Sequence, residues 1–345
     1  METKKECGML ELISQPAFAV VDGVIVKTNR NVLPLLPNAV GLEVASLLGE
    51  DAQEYADFQS GCLCITLQLG FTGIPATVHR VDGFDVFTLE PDEDQAELRA
   101  LVLASTQIRQ PLSDLVTIVD RMDPEAQEVM RLKKRLFQIN RLVNNMSDAF
   151  HYDNDSTANM VYVDVCDQME EWFERLEALV SGCGLRLEFS RPHQSVCSLI
   201  DEEKLERAVN NMISNAVKAS PAGGTIQARL TYKNNRLYLS VRDQGVGFSP
   251  DAIGSIHCRY QRQPGLDLDG LGLGMVLIRA AAAIHGGTLL ITRPQDGGTQ
   301  VTLSIAPKKP QGQQMRSPVF HFDYAGEWDH FLLELSEVLP DEFYK

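Results

Sequence analysis

Four short strings in the C-terminal half of the chain carry side chains and bare backbone suited to one ligand. In NNMISNAVKAS (210–220), Asn211 and Asn215 stand at i and i+4, so on a helix they project from one face, with Lys218 a turn further on. Two amide oxygens can orient a hydrated magnesium ion, which takes oxygen ligands, and the lysine adds a cation for phosphate oxygens. In DQGVGF (243–248), Asp243 can accept a hydrogen bond from an adenine amino group, while Gly245 and Gly247 let backbone approach the base. GLGLGM (270–275) brings Gly270, Gly272, Leu273 and Gly274 to the start of a helix, where free N–H groups and the helix dipole receive phosphate. GGT (297–299), with Thr299, precedes a strand. Each string alone describes a turn or a solvated helix face. In this order and spacing they describe a site for Mg-ATP, with Asn215 at the metal.

The elements around these strings fit that purpose. Asp201 can cap the helix DEEKLERAVNNMISNAVKAS, with Glu202 and Glu203 placed favourably at its N-terminal end. TIQARLTYKNN and RLYLSVRDQ read as a hairpin, GMVLIRAAAAIHGG as a helix stopped by Gly286, and TLLITR and TQVTLSIAP as closing strands. Together with VYVDV, an amphipathic helix and LRLEFS, this makes an α/β sandwich with helices on one face of a mixed sheet.

Upstream, the hydrophobic period changes. Leu98, Leu101, Ser105, Ile108, Leu112, Leu115, Val119 and Met122 follow an unbroken 3-4 spacing. After Asp123-Pro124, a second seam runs Val129, Leu132, Leu136, Ile139, Val143, Met146 and Phe150. Two such helices form a hairpin whose seams stay half exposed until a second copy closes a four-helix bundle, so a homodimer is expected. Residues 13–90 alternate β-rich runs with turns: two strands, short helices broken by Pro34, Pro37 and Gly41, then three strands. Cys62 and Cys64, two apart on one of these strands, share a face and read as buried packing.

At 345 residues the chain is long enough for several domains. A net charge of −16 argues against a nucleic-acid binder, which needs clustered Lys and Arg. The most apolar runs, 101–108 and 275–284, fall short of the roughly 20 residues that cross a bilayer. The N-terminus lacks the apolar core of a secretory signal, so a cytoplasmic location is expected. Seven cysteines without a C-x-x-C support neither a disulfide framework nor a zinc ribbon.

With these residues in view, the C-terminal region resembles the ATP-binding domain shared by sensor histidine kinases, gyrase-type ATPases and Hsp90. Asn211–Ser220 matches the N-box, Asp243–Gly247 the G1 box and Gly270–Gly274 the G2 box, with Leu271 in place of the usual small polar residue and Tyr260 where the kinase lid carries an aromatic. The gyrase branch carries a glutamate base where this chain has Asn211, so the resemblance implies the kinase branch rather than rapid ATP hydrolysis. The N-terminal order of elements, with its V-V-D-G-x-I opening and V-D-G-F return, resembles a PAS sensor domain. The resemblance implies an α+β multidomain protein: a PAS-like domain at 1–92, a helical-hairpin dimerisation domain at 93–153, the ATP-binding α/β sandwich at 154–308, and a linker with an acidic amphipathic tail at 309–345. A response regulator or other signalling protein is the implied partner.

One departure bears on activity. Histidine kinases place the phospho-acceptor in the first hairpin helix as H-E-x-R-x-P-L; here STQIRQPLSDL (105–115) keeps Ile108, Arg109, Pro111 and Leu112 but has Thr106 for the histidine and Gln107 for the acid. An unactivated hydroxyl is a poor nucleophile at neutral pH and Gln107 cannot take a proton. None of the seven histidines falls in that helix; His151 at the end of the second suits a helix C-terminus, and His285 suits packing or capping near Gly286. The expectation is a histidine-kinase-like signalling protein silent at its usual acceptor. The alternatives are a kinase that phosphorylates Thr106 or a histidine on another protein, and an anti-sigma-type serine kinase, which usually lacks a long bundle. In the tail, Trp328, Phe331, Leu332, Leu335, Val338 and Leu339 form an apolar stripe among seven acids and one lysine over 317–345, suited to docking on the chain's own domains or on a partner.

Overall fold

The computed structural model describes residues 10, 13–70, 72–81, 83–89, 95–151, 159–247, 273–310 and 328–345. The N-terminal elements are β1 (Ala17–Val21), β2 (Val24–Thr28), the short helices α1 (Ala45–Leu48) and α2 (Ala52–Asp57), then β3 (Cys62–Leu69), β4 (Thr72–Val81) and β5 (Phe84–Leu89). This is the expected order of two strands, small helices and three strands. The strands hydrogen-bond in the spatial order β2-β1-β5-β4-β3 over a core of Phe18, Ile25, Leu63, Leu67 and Phe87.

Helices α3 (Gln95–Val119) and α4 (Gln127–His151) follow and pack on each other through Leu112 and Val119 against Val129 and Leu136. The 3-4 spacing resolves into two sets. Ser105, Leu112, Val119, Val129, Leu136 and Val143 are buried. Ile108, Leu115, Met122, Leu132 and Ile139 stay between 42% and 49% exposed. Among the described seam residues, alternate positions are therefore used within one chain and the others are not.

The remaining elements are β6 (Met160–Asp164), α5 (Val165–Gly182), β7 (Arg186–Ser190), β8 (Cys197–Asp201), α6 (Glu202–Ala219), β9 (Thr225–Lys233), β10 (Arg236–Arg242), α7 (Leu273–Ile284), β11 (Leu289–Thr292) and β12 (Gln300–Ile305). Asp201 caps α6 as expected, accepting from the Lys204 N–H at 3.1 Å. β7 runs parallel to β9, the other pairs are antiparallel, and β6 with β8 forms a separate two-stranded sheet. His285 is buried behind that small sheet: its Nε2 accepts from the Asp201 N–H at 3.0 Å and its Nδ1 donates to the Ala281 carbonyl at 2.7 Å. Burial holds its imidazole below the usual range, so it is a neutral structural group.

The N-terminal strands and the main sheet of the α/β unit are one sheet. β3 pairs with β11 in antiparallel register, Cys64 opposite Leu289 and Cys62 opposite Ile291, which joins ten strands in a continuous ladder. Because side chains alternate along a strand, β3 serves two cores: Leu63, Ile65 and Leu67 fill the N-terminal one, while Cys62 and Cys64 fill the core of the α/β unit. Gly61 sits against the Ile291 carbonyl at φ +99°, where a Cβ would collide. Arg236 fastens the same junction, with Nε 2.8 Å from Glu54 Oε1, Nη2 donating to the Glu50 carbonyl and Nη1 to the Gly286 carbonyl, each at 3.0 Å.

The tail differs from a single amphipathic helix. Its described part forms only α8 (His330–Glu334) and a 3₁₀ turn (Asp341–Tyr344), separated at Pro340, which cannot continue a helix. The apolar side chains are buried all the same: Phe331, Leu335, Leu339 and Tyr344 join the α/β core, and Trp328 stacks on Phe137 of α4 with ring centroids 4.2 Å apart. The docking is on the chain's own elements.

Candidate functional site

Two corners of the α/β unit bring the sequence-selected residues together. At the first, Asp243 leaves β10 and is buried; its N–H donates to the Thr299 carbonyl at 3.0 Å, and its Oδ1 accepts from the N–H groups of Gly245 at 2.8 Å and Thr299 at 3.1 Å. Oδ1 is thus a structural acceptor, and Oδ2 has no partner among the described residues. Glycine is required on both sides of this turn. Gly298, at φ +80°, lies directly on the Asp243 carbonyl, and a Cβ on Gly247 would stand 2.7 Å from the Gly298 carbonyl. Gly245 in turn backs onto the Ala219 carbonyl at the end of α6, which joins the Asp243 turn to the asparagine helix.

At the second corner, Asn211 is fully buried and Gly274 of α7 packs against it, so closely that a Cβ there would sit 2.8 Å from Asn211 Oδ1. Asn215, one turn on, is half-buried, and Lys218 reaches solvent. Leu273 begins α7. Gly270, Gly272 and Tyr260 lie outside the described residues.

These residues fit a nucleotide. Close backbone stacking of glycines leaves one carboxylate oxygen uncommitted beside them, and half-buried Asn215 and cationic Lys218 extend from the same helix toward solvent. Among the described residues no group of three or more His, Cys, Asp or Glu could hold a metal by itself, so any ion here relies on amide and ligand oxygens.

Asn211 is not uncommitted. Its Oδ1 accepts from Arg141 Nη2 at 2.9 Å; its Nδ2 donates to the Arg207 carbonyl at 2.9 Å and to Glu334 Oε2 at 3.2 Å. Glu334 is wholly buried, with Oε1 on Arg207 Nε at 2.9 Å and Oε2 on Arg141 Nε at 3.0 Å. Arg141, Arg207 and Glu334 were not among the residues selected from sequence. Two signals were there: Arg207 precedes Asn211 by one helical turn, and Glu334 interrupts the apolar run HFLLEL.

Thr106 lies in α3, its side chain outside the described residues; Gln107 and Arg109 are exposed. Pro111 stands inside the helix. Although the side chain as a whole is exposed, desolvation of its guanidinium, and secondarily the charge of Arg207 on α6, hold Arg109 below its usual range. His151 closes α4, and His330 meets Glu206 at 3.3 Å.

Residues 200–309 match the family model described as "Histidine kinase-, DNA gyrase B-, and HSP90-like ATPase". The sensor histidine kinase WalK of Bacillus subtilis (strain 168) is 26% identical over 338 residues, covering 85% of this chain and 54% of WalK. The histidine protein kinase DivJ of Caulobacter vibrioides is 34% identical over 107 residues, 30% of this chain and 18% of DivJ. The chain spans about half the length of WalK and less of DivJ. Among solved structures, full-length ShkA in complex with AMPPNP superposes with a TM-score of 0.51 at 20% identity, covering 62% of this chain and 47% of that one; the likeness is one of fold. These similarities support the histidine kinase family and a kinase-like signal-transduction protein. Among the described residues, no helix is long and apolar enough to cross a membrane.

Proposed function

We propose that the chain is a histidine-kinase-like signalling protein that binds Mg-ATP and does not phosphorylate itself at the usual hairpin position. The observation that carries the nucleotide reading is the turn in which Asp243 spends one carboxylate oxygen on the Gly245 and Thr299 backbone and leaves the other without a partner among the described residues. In this reading Asp243 receives the adenine amine and Gly245, Gly247 and Thr299 shape the base pocket. Asn215 orients magnesium, Asn211 and Lys218 face phosphate oxygens, and Gly270, Gly272, Leu273 and Gly274 offer backbone to the phosphates. ATP, when bound, supplies a transferable phosphoryl group and a concentrated negative charge.

The first five strands constitute a PAS-like sensor, and α3 with α4 constitutes a dimerisation hairpin whose exposed half-seam is covered by a second copy. Thr106 and Gln107 leave that hairpin with neither the nucleophile nor the proton acceptor of its relatives. Nucleotide occupancy then acts as a state of the protein that a response regulator or other signalling partner reads. The deciding experiment is incubation with γ-labelled ATP and Mg²⁺, followed by acid and base treatment. Absence of label, with nucleotide bound, supports the reading; acid-stable label on Thr106, or acid-labile label on a histidine, overturns it.

A further inference from the structure

We infer that the C-terminal segment, residues 328–345, is an intrachain clamp that fastens α4 to α6 and competes with the nucleotide's phosphates for Asn211 and Lys218. The inference rests on the nucleotide reading above and adds to it a regulator built from the same chain.

The segment enters as a wedge. Trp328 lies on Phe137 of α4, Phe331 lies under the Arg175 guanidinium of α5 at 4.1 Å, and Phe343 packs on Gly182, where no side chain would fit beneath it. Asp329 caps α8 through the N–H groups of Phe331 and Leu332. This places two carboxylates one turn apart, Glu334 and Glu337. Glu334 is clasped between Arg207 of α6 and Arg141 of α4 and accepts from Asn211. Glu337 pairs with Lys218, and its Oε2 lies 3.0 Å from Arg141 Nη1. The tail thus sets two negative charges on two of the side chains that would meet a triphosphate.

Charge decides the direction of the effect. A magnesium triphosphate arriving here finds Lys218 already paired with Glu337 and the two arginines already matched by Glu334, so the cationic attraction it would draw on is withdrawn. Asn211 is spent as well, its amide group already donating to Arg207 and Glu334 and accepting from Arg141. Glu334 is no substitute for the missing hydrolytic base: it is wholly buried and both its oxygens are already engaged by arginines.

The closed junction also carries a local cost. Ser336 in the tail, and Asn210 and Ser214 flanking Asn211 on α6, are buried with side-chain atoms that lack hydrogen-bond partners among the described residues. Unsatisfied buried polar groups raise the free energy of the closed arrangement and regain water when it opens.

The test uses the full-length protein, a fluorescent ATP analogue with Mg²⁺, and two tail variants, Trp328→Ala and Glu337→Gln, neither of which empties the buried arginine pair. Because apparent affinity falls with the fraction of competent molecules, opening the clamp should tighten binding about tenfold in Trp328→Ala and several-fold in Glu337→Gln. Amide exchange across 328–345 in the wild type should rise when Mg-AMPPNP saturates. Equal affinity in all three proteins, with the tail equally protected, overturns the clamp. Failure of every folded variant to bind nucleotide overturns the nucleotide reading itself, and the competition with it.

Discussion

Asp243 and Thr299 exchange two hydrogen bonds, Asp243 N–H to the Thr299 carbonyl at 3.0 Å and Thr299 N–H to Asp243 Oδ1 at 3.1 Å. The aspartate is therefore held by one oxygen, and what it offers a ligand is the other.

Asp243→Asn should separate these duties. The amide keeps an oxygen for Gly245 and Thr299, so the free protein should melt close to the wild-type temperature. The new NH₂ faces the adenine amine and cannot accept from it. In the wild type, ligand at 100 times Kd stabilises by about 2.7 kcal/mol; in the variant most of that shift should vanish. A melting shift equal to wild type would remove Asp243 from base recognition.

Thr106→His with Gln107→Glu should create autophosphorylation. Arg109, Pro111 and the ATP-site residues are unchanged, and the pair restores nucleophile and proton acceptor together, the latter worth roughly 10² to 10⁴ in rate. The measurement is acid-labile label from γ-labelled ATP. An unlabelled double variant that still binds nucleotide would mean that α3 and the nucleotide do not approach each other.

Stability should respond to pH at the junction of the two sheets. Burial pushes the Asp51 carboxyl from 3.8 up to about 6, against the opposing Thr66 N–H and Arg236. Its folded-state pKa is raised, so its contribution is fully present below pH 3.8 and lost as pH rises through about 6. Asp51→Asn should therefore raise the melting temperature at pH 8, by up to ~3 kcal/mol of stability from a shift of about two units, and leave it nearly unchanged at pH 4. Calorimetry at the two pH values checks this; an equal effect at both would assign the change to packing.

Leu115→Glu and Ile139→Glu should leave one protein per particle. Both side chains belong to the outward half-seam, 49% and 43% exposed, so a charge there costs a folded single chain little and a four-helix bundle a great deal. Light scattering after gel filtration gives the mass. A wild type already monomeric at high micromolar concentration would refute the bundle.

Much of this molecule was legible because its signals are local. The asparagine helix announces itself by the cap at Asp201 and the i, i+4 amides, and the Asp243 turn by glycines that no other residue could replace at Gly298. The 3-4 spacing told which hairpin positions matter, and its two halves divided as a single chain requires. The pairing of β3 with β11 was not legible, since backbone hydrogen bonds along a strand edge carry no residue code. The alternation Cys62, Leu63, Cys64, Ile65, apolar on both faces, was its one trace. Arg141, Arg207 and Glu334 were missed for a related reason: three charges separated by up to 193 residues have no spacing to read, and only the fold makes them neighbours.

β11 also sets terms for anyone who would rebuild this protein. Its flank is finished by a strand from the front of the chain, so exchanging the first five strands for a foreign domain would leave that flank bare, an open template for another molecule's backbone. A working graft has to carry residues 62–69 with it, or bring a strand that seats on Leu289 and Ile291 in the same register.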